Sequence, residues 1–203
     1  MEQEKYKRLR RMVKGINRQR RQMREKMDIL CNDIVSAQGD ICRRMEHIAV
    51  AADFFESILG TGELGEVFER TADYLRDGKS DLRLAFFLRG KPVEVFVPNA
   101  HGEEDEEMVD VPALEELITE EVVEGICKQM CTCGLEDMIM HGFAVSPMVL
   151  KELEAAAVPI GEPVAIGFAL IYGRKVEQAD IRRLNYIRRG LAKAVKFCHA
   201  QVR

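Results

Sequence analysis

Three cysteines fall within the eight residues CKQMCTCG, where Cys127, Cys131 and Cys133 run directly into Gly134. Clustered thiols can coordinate a soft metal, cycle between thiol and disulfide, or serve as small apolar side chains. His141, eight residues beyond Cys133, is the candidate for a fourth metal ligand. The spacing C-x3-C-x-C, however, is not the close pair plus distant second pair that marks a zinc site. On a helix, Cys127 and Cys131 share a face. Gly134 reads as a helix stop, which puts Cys131 and Cys133 on an unwinding turn and leaves Cys127, next to Ile126, as inert core. A helix C-terminus carries partial negative charge and raises a thiol's pKa, with Lys128 the only cation close by. Slow, ordinary thiols are therefore expected, and any reactive one should be Cys131 or Cys133. A redox pair and a metal or chromophore attachment are the alternatives, and no cofactor is assigned.

Little else in the chain resembles a reaction centre. It has no phosphate-cradling glycine loop, no nucleophile elbow and no H-E-x-x-H pattern. Cys31 and Cys42 lie beside an apolar repeat, where they could cross-link two copies only by accident of geometry, Cys198 continues an apolar stripe, and His47, His101 and His199 show no ligand spacing. The expectation is a protein that is not an enzyme.

The elements that hold these residues begin with composition. A chain of 203 residues, 47% hydrophobic and 32% charged, is long enough for one cored domain and an extension. No apolar segment follows the basic N-terminus as in a secretory signal, and VAIGFALIY is half the length of a membrane span. A cytoplasmic location with reduced thiols is expected. Net charge is −4 but uneven: residues 1–26 carry eleven Lys and Arg against three Glu, a net of +8, which leaves −12 for the remainder. Arg8, Arg10, Arg11, Lys14, Arg18, Arg20, Arg21 and Arg24 form most of this basic arm. Such an arm suits nucleic acid or another anionic partner, although Tyr6 is its only aromatic residue and basic side chains also solvate the outside of a coil.

The strongest regularity is a heptad. With position a at Tyr6, the a series continues Val13, Arg20, Met27, Ile34, Ile41, Ile48, Phe55, and the d series reads Leu9, Ile16, Met23, Leu30, Ala37, Arg44, Ala51, Ile58. Only Arg20 and Arg44 are charged. Eight heptads in one frame predict a coiled coil, and β-branched residues at a with Leu at d favour a parallel two-stranded one. Its dimer seam comprises Val13, Ile16, Met23, Met27, Leu30, Ile34, Ile41 and Ile48, over a rod of roughly 80 Å. Gly15 and Gly39 are soft places in it.

Beyond GTGE (60–63), residues 63–78 predict a short amphipathic helix ended by Gly78. Residues 81–99 predict two strands joined at Arg89–Pro92, with Val93, Val95 and Val97 on one face. Residues 101–110 are an acidic loop, and one helix is expected from Pro112 to the cysteines, with a stripe of Leu114, Leu117, Ile118, Val122, Ile126 and Met130. A strand at 140–145 and a helix at 146–155 follow. Then come two strands about the turn Gly161-Glu162-Pro163 and a last helix over 177–201.

The closing run VPIGEPVAIGFALIYGRK and the helix after it resemble the end of a GAF domain. Val158-Pro159-Ile160 and Ile166-Gly167-Phe168 stand in the two family strands, and GELGEVFERTADYL is similar to the family's second helix. The resemblance covers residues 45–203. PAS-like folds share the plan. It implies an α+β fold: a central antiparallel sheet with N- and C-terminal helices packed on one face and a ligand pocket on the other, preceded here by a long parallel coiled coil. It implies a domain over 59–203, on which the last turns of a first helix pack from about residue 45, after an arm and rod over 1–58. Free methionine sulfoxide reductase, an enzyme with this fold, works through cysteines, but the chain has no Trp and none of its Gly-rich runs. The implied function is a homodimeric sensory module, binding a small ligand and signalling through a protein partner. A nucleic-acid-binding regulator and a scaffold with an empty pocket are the alternatives.

If nucleic acid binds, phosphate contacts release counterions, so affinity should reside in residues 1–26 and fall steeply with salt. Deleting those residues removes binding in a mobility-shift titration; undiminished or salt-independent binding after deletion rules the arm out.

Overall fold

The structure is a computed structural model and describes residues 2–76, 82–98, 113–146 and 149–201. It divides into two units, residues 1–48 and 49–203. The first is the greater part of helix α1 (Glu2–Ser57), and its side chains are exposed throughout.

The second unit is an α+β domain. Its elements after α1 are α2 (Leu64–Arg76), β1 (Arg83–Leu88), β2 (Glu94–Phe96), a 3-10 turn (Leu114–Leu117) and α3 (Glu120–Gln129). They continue with β3 (Cys133–Gly134), α4 (Leu135–Met140), α5 (Val149–Glu152), β4 (Glu154–Ile160), β5 (Gly167–Gly173) and α6 (Gln178–Gln201). The strands form one antiparallel sheet in the order β2-β1-β5-β4-β3. Alternation of side chains along each strand builds two cores. Leu84, Phe86 and Leu88 of β1, Ala156, Val158 and Ile160 of β4, and Ala169 and Ile171 of β5 face one side. Ala85, Phe87, Ala157, Phe168, Leu170 and Tyr172 face the other.

The first side is covered by the end of α1, by α2 and by α6. Val50 and Phe54 supply the stripe of α1, with Ile58 just past its end, Val67, Phe68, Ala72 and Leu75 that of α2, and Leu184, Ile187, Leu191 and Val195 that of α6. Phe68 stacks on Phe86 with ring centroids 4.5 Å apart and also touches Phe96 at 4.9 Å. No basic residue stands in the last turn of α1, and its carbonyls are met instead by Arg70 of α2. That guanidinium donates to Ser57 O at 3.1 Å and Leu59 O at 3.4 Å. The Tyr74 hydroxyl donates to Val50 O at 3.0 Å. Gly190 of α6 lets Phe55 lie against the helix, since a Cβ there would meet the ring at 2.8 Å.

The second side carries the 3-10 turn, α3 and α4. The helix expected to run unbroken from Pro112 is two elements, because Thr119 leaves the helical region and its hydroxyl accepts from Val122 N as the cap of α3. Leu117, expected in the core stripe, is 41% exposed as a result. Residues 143–146 are irregular rather than a strand, and α4 occupies 135–140. The helix expected at 146–155 is described only as the turn α5, with strand β4 from Glu154. On the edge strand β2, Val95 is exposed while Phe96 faces the first core. The acidic loop and Gly78 lie outside the described residues.

Gly167 opens β5 opposite Leu88 and Ile160. A Cβ there would lie 2.0 Å from Phe87 O, so any side chain forces the strands apart. Gly167→Ala is expected to lower the unfolding free energy by about 3 kcal/mol in urea titrations, the upper part of the overpacking range. Gly65→Ala, in open space on α2, gains up to about 1 kcal/mol. Equal stability of Gly167→Ala and the parent would refute the close approach.

Candidate functional site

Helix α3 starts on the Thr119 cap with Glu120 and Glu121 in its first turn, where acidic side chains favour the positive end of the dipole. Val122, Val123, Ile126 and Cys127 form its buried stripe. Arg89, just past β1, grips Glu124 with two bonds, Nε to Oε1 at 2.5 Å and Nη2 to Oε2 at 2.8 Å. The Arg89 hydrogen bond holds the Glu124 carboxyl below its usual range.

Gly134 does not stop this helix. Gln129 is its last residue, and Met130 takes the left-handed conformation at φ 56°. Gly134 instead precedes α4, and its N–H donates to Asp137 Oδ2 at 3.0 Å. Between them Cys131 is exposed in a bend, whereas Cys133 is fully buried in β3 opposite Ala157. Burial of Cys133 departs from the unwinding turn expected for it, because a two-residue pairing with β4 draws it into the second core. Cys127 is 4% exposed.

The thiols differ in consequence. Burial pushes Cys127 up to about 11, partly countered by the charge of Arg89. Burial, with Cys131 and Asp137 adding to it, pushes Cys133 up to about 12. Cys133 donates to Gln129 Oε1 at 2.9 Å, and Cys131 reaches the same oxygen at 3.8 Å. Thr132 is tied to α6: Asn185 Nδ2 donates to its hydroxyl at 3.0 Å and to Ile181 O at 3.0 Å. Across the same core, the buried Tyr172 hydroxyl donates to Glu115, and burial raises its pKa. Gln129, Thr132, Asn185 and Glu115 gave no signal in the sequence, since each acts through a partner distant in the chain or across a turn.

His141 follows α4 and lies on α3, where a Cβ on Gly125 would stand 2.7 Å from its ring. Its Nε2 is buried without a hydrogen-bond partner in the described structure. Among the described residues no three His, Cys, Asp or Glu side chains converge to hold a metal. Cys127, Cys131, Cys133 and His141 therefore do not assemble into one ligand set.

The remaining candidates lie on α1. Val13, Ile16, Met23, Met27, Leu30, Ile34, Ile41 and Ile48 are all exposed, Ile34 at 65% and Ile41 at 58%. Arg8, Arg10, Arg11, Lys14, Arg18, Arg20, Arg21 and Arg24 are exposed too, with Arg21 paired to Glu25 at 3.2 Å. No helix among the described residues is long and apolar enough to cross a membrane.

Native Cys127 and Cys133 keep protons that the unfolded chain releases near pH 9. Stability from these thiols is whole below pH 9 and is lost as pH rises towards 11 to 12. Denaturation midpoints should fall over that window, and less steeply in Cys133→Ala. An identical decline in the variant would show that Cys133 is not buried as a thiol.

No protein-family model and no curated sequence matches the chain. Solved structures do. The GAF domain from Acinetobacter phosphoenolpyruvate-protein phosphotransferase is similar at 14% identity and TM-score 0.51, over 77% of this chain and 97% of that one. The GAF domain of the corresponding Coxiella burnetii protein is similar at 11% identity and TM-score 0.50, over 78% and 97%. The fRMsr of Staphylococcus aureus, in complex with substrate, aligns at 16% identity and TM-score 0.47, over 73% and 95%. The first two likenesses give the fold: an antiparallel sheet with the N- and C-terminal helices on one face, as in GAF domains.

Proposed function

We propose that the chain is a homodimeric regulatory module in which a GAF-like domain is coupled to a parallel coiled coil, with output through a protein partner. The observation that carries this is the division of labour on α1. Its last turns bury Phe54 and pack Val50 on the domain core, while the a position Ile48 stays 68% exposed. Ile58, a d position of the repeat, is taken by the core and Phe55 lies against Gly190, so the free seam ends near Ile48. The core stripe and the seam are rotated about a quarter turn from each other. One helix can thus serve its own domain and a second chain at once. An unpaired apolar stripe of this length is unstable in water, and a second copy in register covers it.

In such a module a ligand acts only by binding two arrangements of the domain unequally. Any shift in how Val50, Phe54 and Ile58 seat in the core turns the helix, and with it the seam. The basic segment presents its cations to an anionic partner, nucleic acid included.

A scaffold role is the second reading. Phe87 and Phe168 stack at 4.7 Å on the second face, and Cys127, Met138, Phe143 and Ala157 pack around them. Side chains of the chain itself thus pack closely on the face where the resemblance puts a ligand. No reaction chemistry is assigned to either reading.

Ile34→Asp combined with Ile41→Asp places carboxylates in the seam without touching the domain. Each unpaired buried charge costs about 3–5 kcal/mol, so dimer affinity should fall at least about a hundredfold. Light scattering should give the dimer mass for the parent and the monomer mass for the variant, with circular dichroism of the domain retained. A variant that stays dimeric shows that the rod is not the main interface.

A further inference from the structure

The exposed and the buried thiol at the end of α3 are placed for exchange with each other. The left-handed Met130 turns the chain back after Gln129. Cys131 lies in the bend that follows and Cys133 in β3, with Thr132 between them held by Asn185 of α6. Both sulfurs converge on one atom, Gln129 Oε1, at 3.8 Å from Cys131 and 2.9 Å from Cys133. The Cys133 sulfur also lies 3.5 Å from Cys131 O. Cys131 is open to solvent and Cys133 is closed to it.

We propose that Cys131 and Cys133 form a thiol-modification site at which Cys131 accepts a low-molecular-weight disulfide of the glutathione class and Cys133 resolves it. In the first step the Cys131 thiolate, its proton given to solvent, attacks one sulfur of the disulfide. A mixed disulfide forms and one small thiolate leaves. In the second step Cys133 gives up its proton, its thiolate attacks the Cys131 sulfur, and the second small thiolate leaves and takes up that proton. Two protein thiols are oxidised to one disulfide, and one small disulfide is reduced to two thiols. Both S–H donors to Gln129 are lost, and the bond closes across Thr132 while Asn185 holds that residue. Burial of Cys133 makes the second step slow at neutral pH and faster in alkali, so the site integrates exposure over time. Cys127, buried one turn back in α3, takes no part.

The test uses the full chain with Cys31→Ser and Cys42→Ser, both exposed positions on α1. After incubation with glutathione disulfide, peptides are mapped by mass spectrometry without reduction. The expected product is a peptide containing a Cys131–Cys133 bond, lighter by two hydrogens and free of glutathione. Cys133→Ala, which keeps a small apolar side chain in the core, should accumulate glutathione on Cys131. Cys131→Ser, a change at an exposed site, should leave Cys133 unmodified, and this arm stands even if Cys133→Ala fails to fold. The proposal is overturned if the parent retains glutathione on Cys131, if Cys131 stays free, or if Cys127 enters the bond.

Discussion

Everything in the domain hangs on β5. Each of its seven residues, Gly167–Gly173, is buried, with β1 on one edge, β4 on the other and a core on each face. Such a strand is legible as a continuous apolar run, and it tolerates no unpaired backbone group. Its first residue must be glycine because the Phe87 carbonyl occupies the space of a side chain. Once β5 is fixed, alternation alone sends Phe168, Leu170 and Tyr172 to the face that holds Cys127 and Cys133 and Ala169 and Ile171 to the face that receives α1. The last turns of helix α1 are therefore part of the domain's core. Phe54 is wholly buried, and removing such a ring costs about 3–5 kcal/mol.

That dependence explains how much could be read from the chain. Long-period signals survived: the long helix of α1, the amphipathic α2, the two closing strands and α6. Within the domain each reflects burial repeated over many residues, which local accidents do not disturb. The short elements were not legible. Thr119 breaks a helical pattern through one capping bond, and Met130 does what Gly134 was expected to do. Nothing in a methionine announces a left-handed conformation; the turn is imposed by β3 pairing with β4 and by Asp137 receiving the Gly134 N–H.

The thiol cluster shows the same divide. That Cys127 belongs to an apolar stripe could be read from its neighbours in α3. That Cys133 is sealed while Cys131 is open could not, since it follows from a two-residue strand at the sheet edge. The polar groups around them, Gln129, Asn185 and Thr132, act across turns or across the fold, and neither composition nor spacing reveals such partners. Charge patterning was more informative at long range than at short. The basic arm was visible at once, whereas Arg89 with Glu124, and Glu162 with Arg188 and Arg189, pair residues far apart in sequence.

The central claim is that α1 pairs with a second copy of itself in parallel and in register. Disulfide trapping at one end of the rod addresses it most directly. Val13→Cys, in a chain with Cys31→Ser and Cys42→Ser, puts a single thiol at an a position far from the rod's midpoint. In parallel register two such thiols face each other, and mild oxidation should link nearly all of the protein through position 13. Absence of that link would contradict the account, as would a link that appears only on mixing with an Ala51→Cys chain, the sign of an antiparallel pair.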